Sequence, residues 1–87
     1  MNQVVVHPRV MDRHPELTED DIIVAWENYV RMTRREGQDS YYVAVGFDEN
    51  GRAIEMVAVE TIDSDWYIYH ALTPPTKGVL RELGLMR

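Results

Sequence analysis

Two histidines and two arginines lie close together near the start of the chain, in a segment that prolines interrupt. They are His7, Arg9, Arg13 and His14. A histidine can transfer protons near neutral pH, and an arginine can bind phosphate oxygens through its planar set of N–H donors. We can name no packing purpose for such a cluster, and binding residues concentrate on loops that a rigid scaffold holds. The segment is therefore a predicted functional site.

These residue types fit the metal-independent cleavage of RNA. The reaction needs a base for the 2′-hydroxyl proton, a cation at the scissile phosphate and an acid for the leaving 5′-oxygen. The predicted catalytic residues are three histidines and one arginine: His7, His14, His70 and Arg13. The predicted substrate-binding residues are Arg9, Tyr42, Lys77, Arg34 and Arg35.

Several of these candidates also have a structural interpretation that the sequence leaves open. His70 stands in an aromatic stretch, where a histidine more often packs and hydrogen-bonds than catalyses. Tyr42 and Tyr69 could pack on a sheet with the hydroxyl at the rim. Arg34 and Arg35 could compensate the dipole at the C-terminal end of a helix.

No metal or cofactor site is predicted. The three histidines do not have a recognised zinc spacing, and the chain contains no cysteine. Neither a glycine-rich phosphate loop nor a serine or cysteine hydrolase motif is found in the sequence. We therefore expect chemistry that depends on side chains alone.

The chain is short and acidic. Its 87 residues predict one domain, 1–87, and a domain of this size buries only about 60% of the surface that its unfolded chain exposes. A homodimer or a tight partner would add stability. The net charge of −6 argues against a protein whose main partner is a nucleic acid. No membrane span and no signal peptide are predicted, so we expect a cytoplasmic location.

The elements that must position the candidate residues are organised around a β-hairpin. Apolar residues alternate on both sides of Asn50-Gly51, which predicts a type I′ turn. Phe47 would then face Ile54. One face of the hairpin would be buried and would hold Val43, Val45, Phe47, Ile54, Met56 and Ala58. The other would be partly open and would hold Tyr42, Ala44, Gly46, Glu55, Val57 and Val59.

The flanking elements complete a predicted α+β fold. Residues 3–6 read as a short strand, and Thr18 as the N-cap of a helix over residues 19–33. Residues 66–72 read as a third long strand, and Thr76 as the N-cap of a helix over residues 77–83. The predicted architecture is an antiparallel β-meander of three long strands plus a short N-terminal strand, one main helix packed on the sheet and a short C-terminal helix.

The register of the third long strand is ambiguous. A three-residue loop before it would bury Trp66, Ile68, His70 and Leu72. A four-residue loop would instead bury Tyr67, Tyr69 and Ala71 and would place His70 beside Val57, Tyr42 and Glu55. The face that His70 occupies therefore stays open.

Three segments carry a resemblance to a known group of proteins. HPRVMDRHPELTEDDIIVAW, YYVAVGFDENGRAIEMVAV and WYIYHALTPPTKGVLRELGL together resemble small toxin-like domains related to BrnT and, more distantly, to the RelE superfamily of bacterial toxins. The resemblance implies an mRNA endonuclease, free or ribosome-dependent, that an antitoxin protein inhibits and that needs no cofactor. It matches His7 and Arg13 to the histidine and arginine before the first helix, with weaker matches at His70 and Lys77.

A second hypothesis belongs to a different class of protein. The partly open face with Tyr42, Val57 and Val59 could bind a protein partner without catalysis. The sequence leaves this interaction module as the alternative to the endoribonuclease.

Overall fold

A computed structural model of the protein describes residues 3–37 and 40–86. Within these residues the fold is mixed α+β, which confirms the predicted class, with 26% helix and 38% strand. The elements in chain order are β1 (Val4–Val6), α1 (Pro8–Arg13), α2 (Glu19–Glu27), β2 (Tyr29–Arg34), β3 (Tyr41–Phe47), β4 (Ala53–Glu60), β5 (Trp66–Leu72) and α3 (Lys77–Glu82).

The strands form one sheet in the order β1-β5-β4-β3-β2. All neighbours are antiparallel except β1, which pairs in parallel with β5. Side chains of α1 and α2 pack on one face, called here the α2 face, and those of α3 pack on the other, the α3 face. No helix in the described ranges is long and apolar enough to cross a membrane.

The long helix predicted over residues 19–33 is wrong in its second half. It ends at Glu27, where both the backbone N–H and the Nδ2 group of Asn28 donate to the Val24 carbonyl. Tyr29–Arg34 is the strand β2, paired with β3. Tyr29 and Val30 continue a helical apolar pattern, but they are aromatic and β-branched and suit a strand as well. Pairing of β2 with β3 also gives hydrogen-bond partners to the backbone N–H and C=O groups along the edge of β3, which a longer helix would leave without partners.

The predicted register of the hairpin is also wrong, by one residue. Phe47 pairs with Ala53, not with Ile54. Gly51, and not Asn50, has a positive φ of 80°, and its N–H donates to the Asp48 carbonyl at 3.1 Å. This is a type I turn followed by a glycine bulge rather than a type I′ turn.

A slip of one residue moves each side chain of a strand to the opposite face. Ile54, Met56 and Ala58 therefore share the α2 face with Tyr42, Ala44 and Gly46, whereas Val43, Val45 and Val57 lie on the α3 face. Tyr42 is thus not on the same face as Val57 and Val59. Val57 is also buried against α3. Tyr42, Val57 and Val59 therefore do not form one open face.

The Asp48 carboxylate stabilises the observed turn. Its Oδ1 accepts the N–H groups of Asn50 and Arg52, each at 2.9 Å, and its Oδ2 accepts Arg52 Nε at 2.7 Å. Arg52 also donates to Asp21 Oδ2 at 3.1 Å and to the Glu16 carbonyl at 3.0 Å. Burial alone would raise the pKa of Asp48, but the hydrogen bonds from Arg52 and Asn50 hold it below its usual value.

Replacing this carboxylate should destabilise the fold in a pH-dependent way. At pH 7, Asp48→Asn should lower the free energy of unfolding by about 1.5–3 kcal/mol, because bonds to a charged acceptor are lost. A lowered pKa stabilises the native state above the ordinary Asp pKa of about 3.9, and this contribution is lost as the pH falls through the native-state value. Urea unfolding at neutral and acidic pH measures the difference.

The matched control for this prediction is Glu49→Gln, at an exposed position in the same turn. It should change the free energy of unfolding little at either pH. A constant gap between Asp48→Asn and the parent protein down to acidic pH would contradict the role given to the carboxylate.

Helix α2 lies unusually close to β3. It begins at the predicted Thr18 cap, where Thr18 and Asp21 form a capping box, and Leu17 and Ile22 beside the cap are buried. A Cβ atom at Gly46 would lie 1.9 Å from the Ala25 carbonyl oxygen. Only glycine at this position allows the helix to approach the strand so closely.

Two glycine-to-alanine substitutions should therefore have opposite effects. Gly46→Ala should destabilise the protein by about 3 kcal/mol or more, since the backbone of α2 or of β3 must move to make room for the Cβ atom. Gly78→Ala, in α3, meets no atom closer than 4.0 Å and should stabilise the helix by about 0.5 kcal/mol. Thermal unfolding of the two variants compares them directly. Equal melting temperatures would contradict the close approach.

A bulge in β5 resolves the register that the sequence leaves open. Ile68 pairs with Ala58 and His70 pairs with Val57, so Tyr69 is the extra residue. The strand therefore combines parts of the two predicted registers, because Trp66, Ile68 and Ala71 pack on the α2 face whereas His70 contacts Glu55. Tyr42 is not beside His70: it lies on the α2 face and contacts Trp66, with ring centroids 5.0 Å apart.

Candidate functional site

An open depression on the α3 face brings together side chains from four parts of the chain. Its volume is about 380 Å³. The residues that line it come from the end of α1, the residue after β2, and the strands β4 and β5: Arg13, Arg35, Glu55, Val57, Tyr69 and His70. Three of the residues predicted from the sequence, Arg13, Arg35 and His70, therefore meet at one place.

A histidine–carboxylate pair lies at the base of this depression. His70 Nε2 is 2.7 Å from Glu55 Oε2, and the other carboxylate oxygen accepts the Thr76 N–H at 2.7 Å. The Glu55 side chain is 5% exposed, whereas that of His70 is 36% exposed. Because a carboxylate can only accept, the neutral imidazole carries its proton on Nε2. The nitrogen with which His70 can act on a ligand is then Nδ1.

The bulge in β5 is the reason that His70 reaches Glu55. In a bulge two successive side chains point to the same side of the sheet. Tyr69 and His70 therefore both lie on the α3 face, where Tyr69 contacts Tyr41 with ring centroids 5.9 Å apart. Without the extra residue, the alternation that places Ile68 in the α2-face core would place His70 there as well.

The two arginines of the depression differ in their surroundings. Arg35 donates to both oxygens of Glu82, each at 3.2 Å, and this hydrogen bonding raises the pKa of Arg35 although burial opposes it. Arg13 is exposed in the last turn of α1. Both guanidinium groups are therefore charged at neutral pH, and Arg13 has the freer side chain to meet an anion.

Tyr69 contributes a hydroxyl group that stays protonated. Burial raises the pKa of its phenol, Tyr41 raises it further, and Arg35 opposes the increase. The hydroxyl is consequently a hydrogen-bond donor over the physiological pH range.

His7 and Arg9 lie in a neighbouring depression of about 220 Å³, which Arg13 and Tyr69 also line. His7 is the N-cap of α1, and its Nδ1 accepts the Arg9 N–H at 3.0 Å. Its ring packs edge-on against Tyr67, with ring centroids 5.8 Å apart. His7 thus has a capping and packing role that the sequence analysis did not identify.

The other predicted site residues lie elsewhere. His14 is the C-cap of α1, and its Nδ1 is 3.5 Å from Glu16 Oε1. Tyr42 packs on the α2 face, and Lys77 is exposed at the start of α3. Arg34 lines a third depression of about 590 Å³ together with Thr33, Arg35, Glu36 and Glu82. His14, Tyr42 and Lys77 are not among the residues that line the His70 depression.

Sequence reasoning missed Glu55 and Tyr69 as site residues. Glu55 had a visible signal, since it is the single charged residue between Ala53 and Val59 in an apolar strand. A charged side chain in such a strand is costly to bury unless it is paired, so a partner could have been expected. Tyr69 had no such signal, because its position depends on the bulge.

A metal-binding group of three or more histidine, cysteine, aspartate or glutamate side chains is not found in the described part of the chain. Comparisons of the chain with protein-family models, with curated proteins and with solved structures found no match. The function is therefore argued from the geometry of the site.

The Glu55–His70 contact predicts a measurable tautomer. At a pH where the imidazole is neutral, long-range ¹H–¹⁵N NMR spectra should show His70 protonated at Nε2. Glu55→Ala removes the acceptor and should give a mixture of tautomers. It should also cost about 1–3 kcal/mol in the free energy of unfolding, because Thr76 loses its acceptor.

Glu60→Ala, at the end of the same strand, is the control and should keep the Nε2 tautomer. An Nδ1-protonated His70 in the parent protein would contradict the arrangement.

Proposed function

We propose that this protein is a metal-independent endoribonuclease of the bacterial toxin type, with the His70 depression as its active site. The observation that supports the proposal is the meeting of an imidazole held by a buried carboxylate with two arginines and a tyrosine hydroxyl in one open depression. These groups match the base, the phosphate cations and the donor that RNA cleavage requires.

In the proposed mechanism, His70 Nδ1 accepts the proton of the 2′-hydroxyl as its oxygen attacks the adjacent phosphorus. Glu55 is a positioning residue: it orients the imidazole and stabilises the imidazolium that forms, since Oε2 lies 2.7 Å from Nε2. In a catalytic triad, likewise, a carboxylate orients the histidine that acts as the general base. The bond to the 5′-oxygen breaks, and the products are a 2′,3′-cyclic phosphate and a 5′-hydroxyl.

Arg13 and Arg35 would stabilise the charge that grows on the phosphate oxygens. Arg35 would share its donors between the phosphate and Glu82, to which it is bonded in this structure. Tyr69, whose hydroxyl stays protonated, is the proposed donor to the leaving 5′-oxygen. His7 lies in the neighbouring depression, which Tyr69 also lines. Its Nδ1 accepts the Arg9 N–H in the cap of α1, so the proposed mechanism includes no proton transfer by His7.

The distribution of charge supports an RNA substrate despite the net charge of −6. The acidic first turn of α2, with Glu19, Asp20 and Asp21, belongs to the helix that packs on the opposite face of the sheet. The proposed site therefore lies away from this concentration of negative charge. RNA or the ribosome is the proposed partner of the α3 face, and an antitoxin protein that covers this face would inhibit the enzyme.

The test is cleavage of an end-labelled single-stranded RNA by the purified protein in the presence of EDTA. We expect products that end in a 2′,3′-cyclic phosphate, and no cleavage of the all-2′-deoxy analogue. His70→Ala should lower the rate by about 10²–10⁴-fold. Arg13→Ala should lower it by about 10²–10³-fold, because a group that stabilises transition-state charge is lost.

His14→Ala is the matched control, because it removes a histidine that pairs with Glu16 outside the depression. It should cleave RNA at the parent rate. In a bacterial host, the parent and His14→Ala should arrest growth, and the His70→Ala/Arg13→Ala double variant should not. An inactive parent protein, or an equal loss in His14→Ala and His70→Ala, would refute the assignment.

A further inference from the structure

The His70 depression is the middle one of three that share residues. Arg13 and Tyr69 line both it and the depression of His7 and Arg9. Arg35 lines both it and the depression of Thr33 and Arg34. The three depressions thus adjoin one another. Their cationic part on the α3 face is called here the arginine track and is defined by Arg9, Arg13, Tyr69, His70 and Arg35; Arg34 pairs with Tyr42, so its side chain lies on the α2 face.

The arginines of this acidic chain differ in their surroundings. Arg52 binds Asp48 and Asp21, and Arg31 donates to the Leu83 carbonyl, so both stabilise the fold. The side chains of Arg9 and Arg13 are exposed, and the described residues contain no ion-pair partner for them. Three of the nine basic residues, Arg9, Arg13 and Arg35, therefore lie along the track, and Arg9 and Arg13 are available to bind an anion.

An exposed aromatic ring lies in the middle of the track. Tyr69 is 38% exposed and lines the same depression as Arg13 and Arg35, and its neighbour Tyr41 is 36% exposed. Positive charges that follow a backbone, combined with an exposed ring on which a base can stack, are the two features that single-stranded nucleic acids require of a binding groove. A duplex satisfies the second feature poorly because its bases are already stacked.

We infer that the arginine track binds single-stranded RNA around the scissile phosphate, with one base stacked on Tyr69 and a flanking phosphate at Arg9. The inference rests on the proposed function for the position of the scissile phosphate. Binding along the track does not itself require cleavage. Glu36 and Glu82 also line the third depression, and Glu82 is already engaged by Arg35.

The experiment is fluorescence anisotropy with a short, labelled 2′-O-methyl RNA, which cannot be cleaved at its 2′-oxygen. Affinity is measured over a range of salt concentrations. Arg9→Ala should reduce the slope of log K against log salt by about 0.7, the value for one phosphate contact on a single strand. Arg81→Ala removes an exposed arginine of α3 that lines none of the three depressions, and it should leave the slope unchanged.

Tyr69 is tested in the same assay. Tyr69→Ala should weaken binding by roughly 5- to 150-fold, the range for the loss of one base stack, and Tyr69→Phe should bind like the parent protein. The same oligonucleotide annealed to its complement should bind more weakly than the single strand. Equal binding of the duplex, or equal slopes for Arg81→Ala and Arg9→Ala, would overturn the inference.

The two proposals fail in different ways. If the oligonucleotide binds as expected but RNA is not cleaved, the proposed function fails and the arginine track stands. If RNA is cleaved at His70 but Arg9→Ala binds with the parent slope, the track fails and the proposed function stands.

Discussion

The buried carboxylate of Glu55 is the constraint on which the α3 face depends. A carboxylate with 5% exposure needs hydrogen-bond donors, and it has two, His70 Nε2 and the Thr76 N–H. The first contact requires the bulge in β5, which turns His70 onto this face. The second holds the start of α3, the helix whose Val79 and Leu83 cover Val43, Val45 and Val57. One side chain thus connects the sheet, the last helix and the proposed active site.

A second charged group organises the turn between β3 and β4. Asp48 accepts two backbone N–H groups in the hairpin turn, and its partner Arg52 extends to Asp21 in the capping box of α2. The turn and the helix are therefore linked through three ionised side chains, while Gly46 allows α2 to lie directly on β3. The acidic start of α2 is held over the α2 face of the sheet, whereas Arg13, Arg35 and His70 line the depression on the α3 face.

The candidate site differs from the cluster that the sequence suggests. The segment of residues 7–14 does contribute Arg13, but His7 and His14 are the caps of α1, one at each end. The histidine–carboxylate pair of the depression comes instead from β4 and β5, where His70 and Glu55 are 15 residues apart. Histidine in an aromatic strand is both packed and paired here, so the structural interpretation of His70 and the functional one are compatible.

What the sequence by itself determines is local. The α+β class, the caps at Thr18 and Thr76, the position of the hairpin turn and the aromatic strand β5 follow from residue types that act on their nearest neighbours. Only the tertiary structure decides that residues 29–34 extend the sheet, that the hairpin turn is one residue longer than predicted and that β5 carries a bulge. These features depend on Asp48, on the free edge of β3 and on the need of Glu55 for donors. Because side chains alternate between faces, each such shift changes which residues meet. The set of residues that forms the site could therefore not be predicted from local sequence patterns.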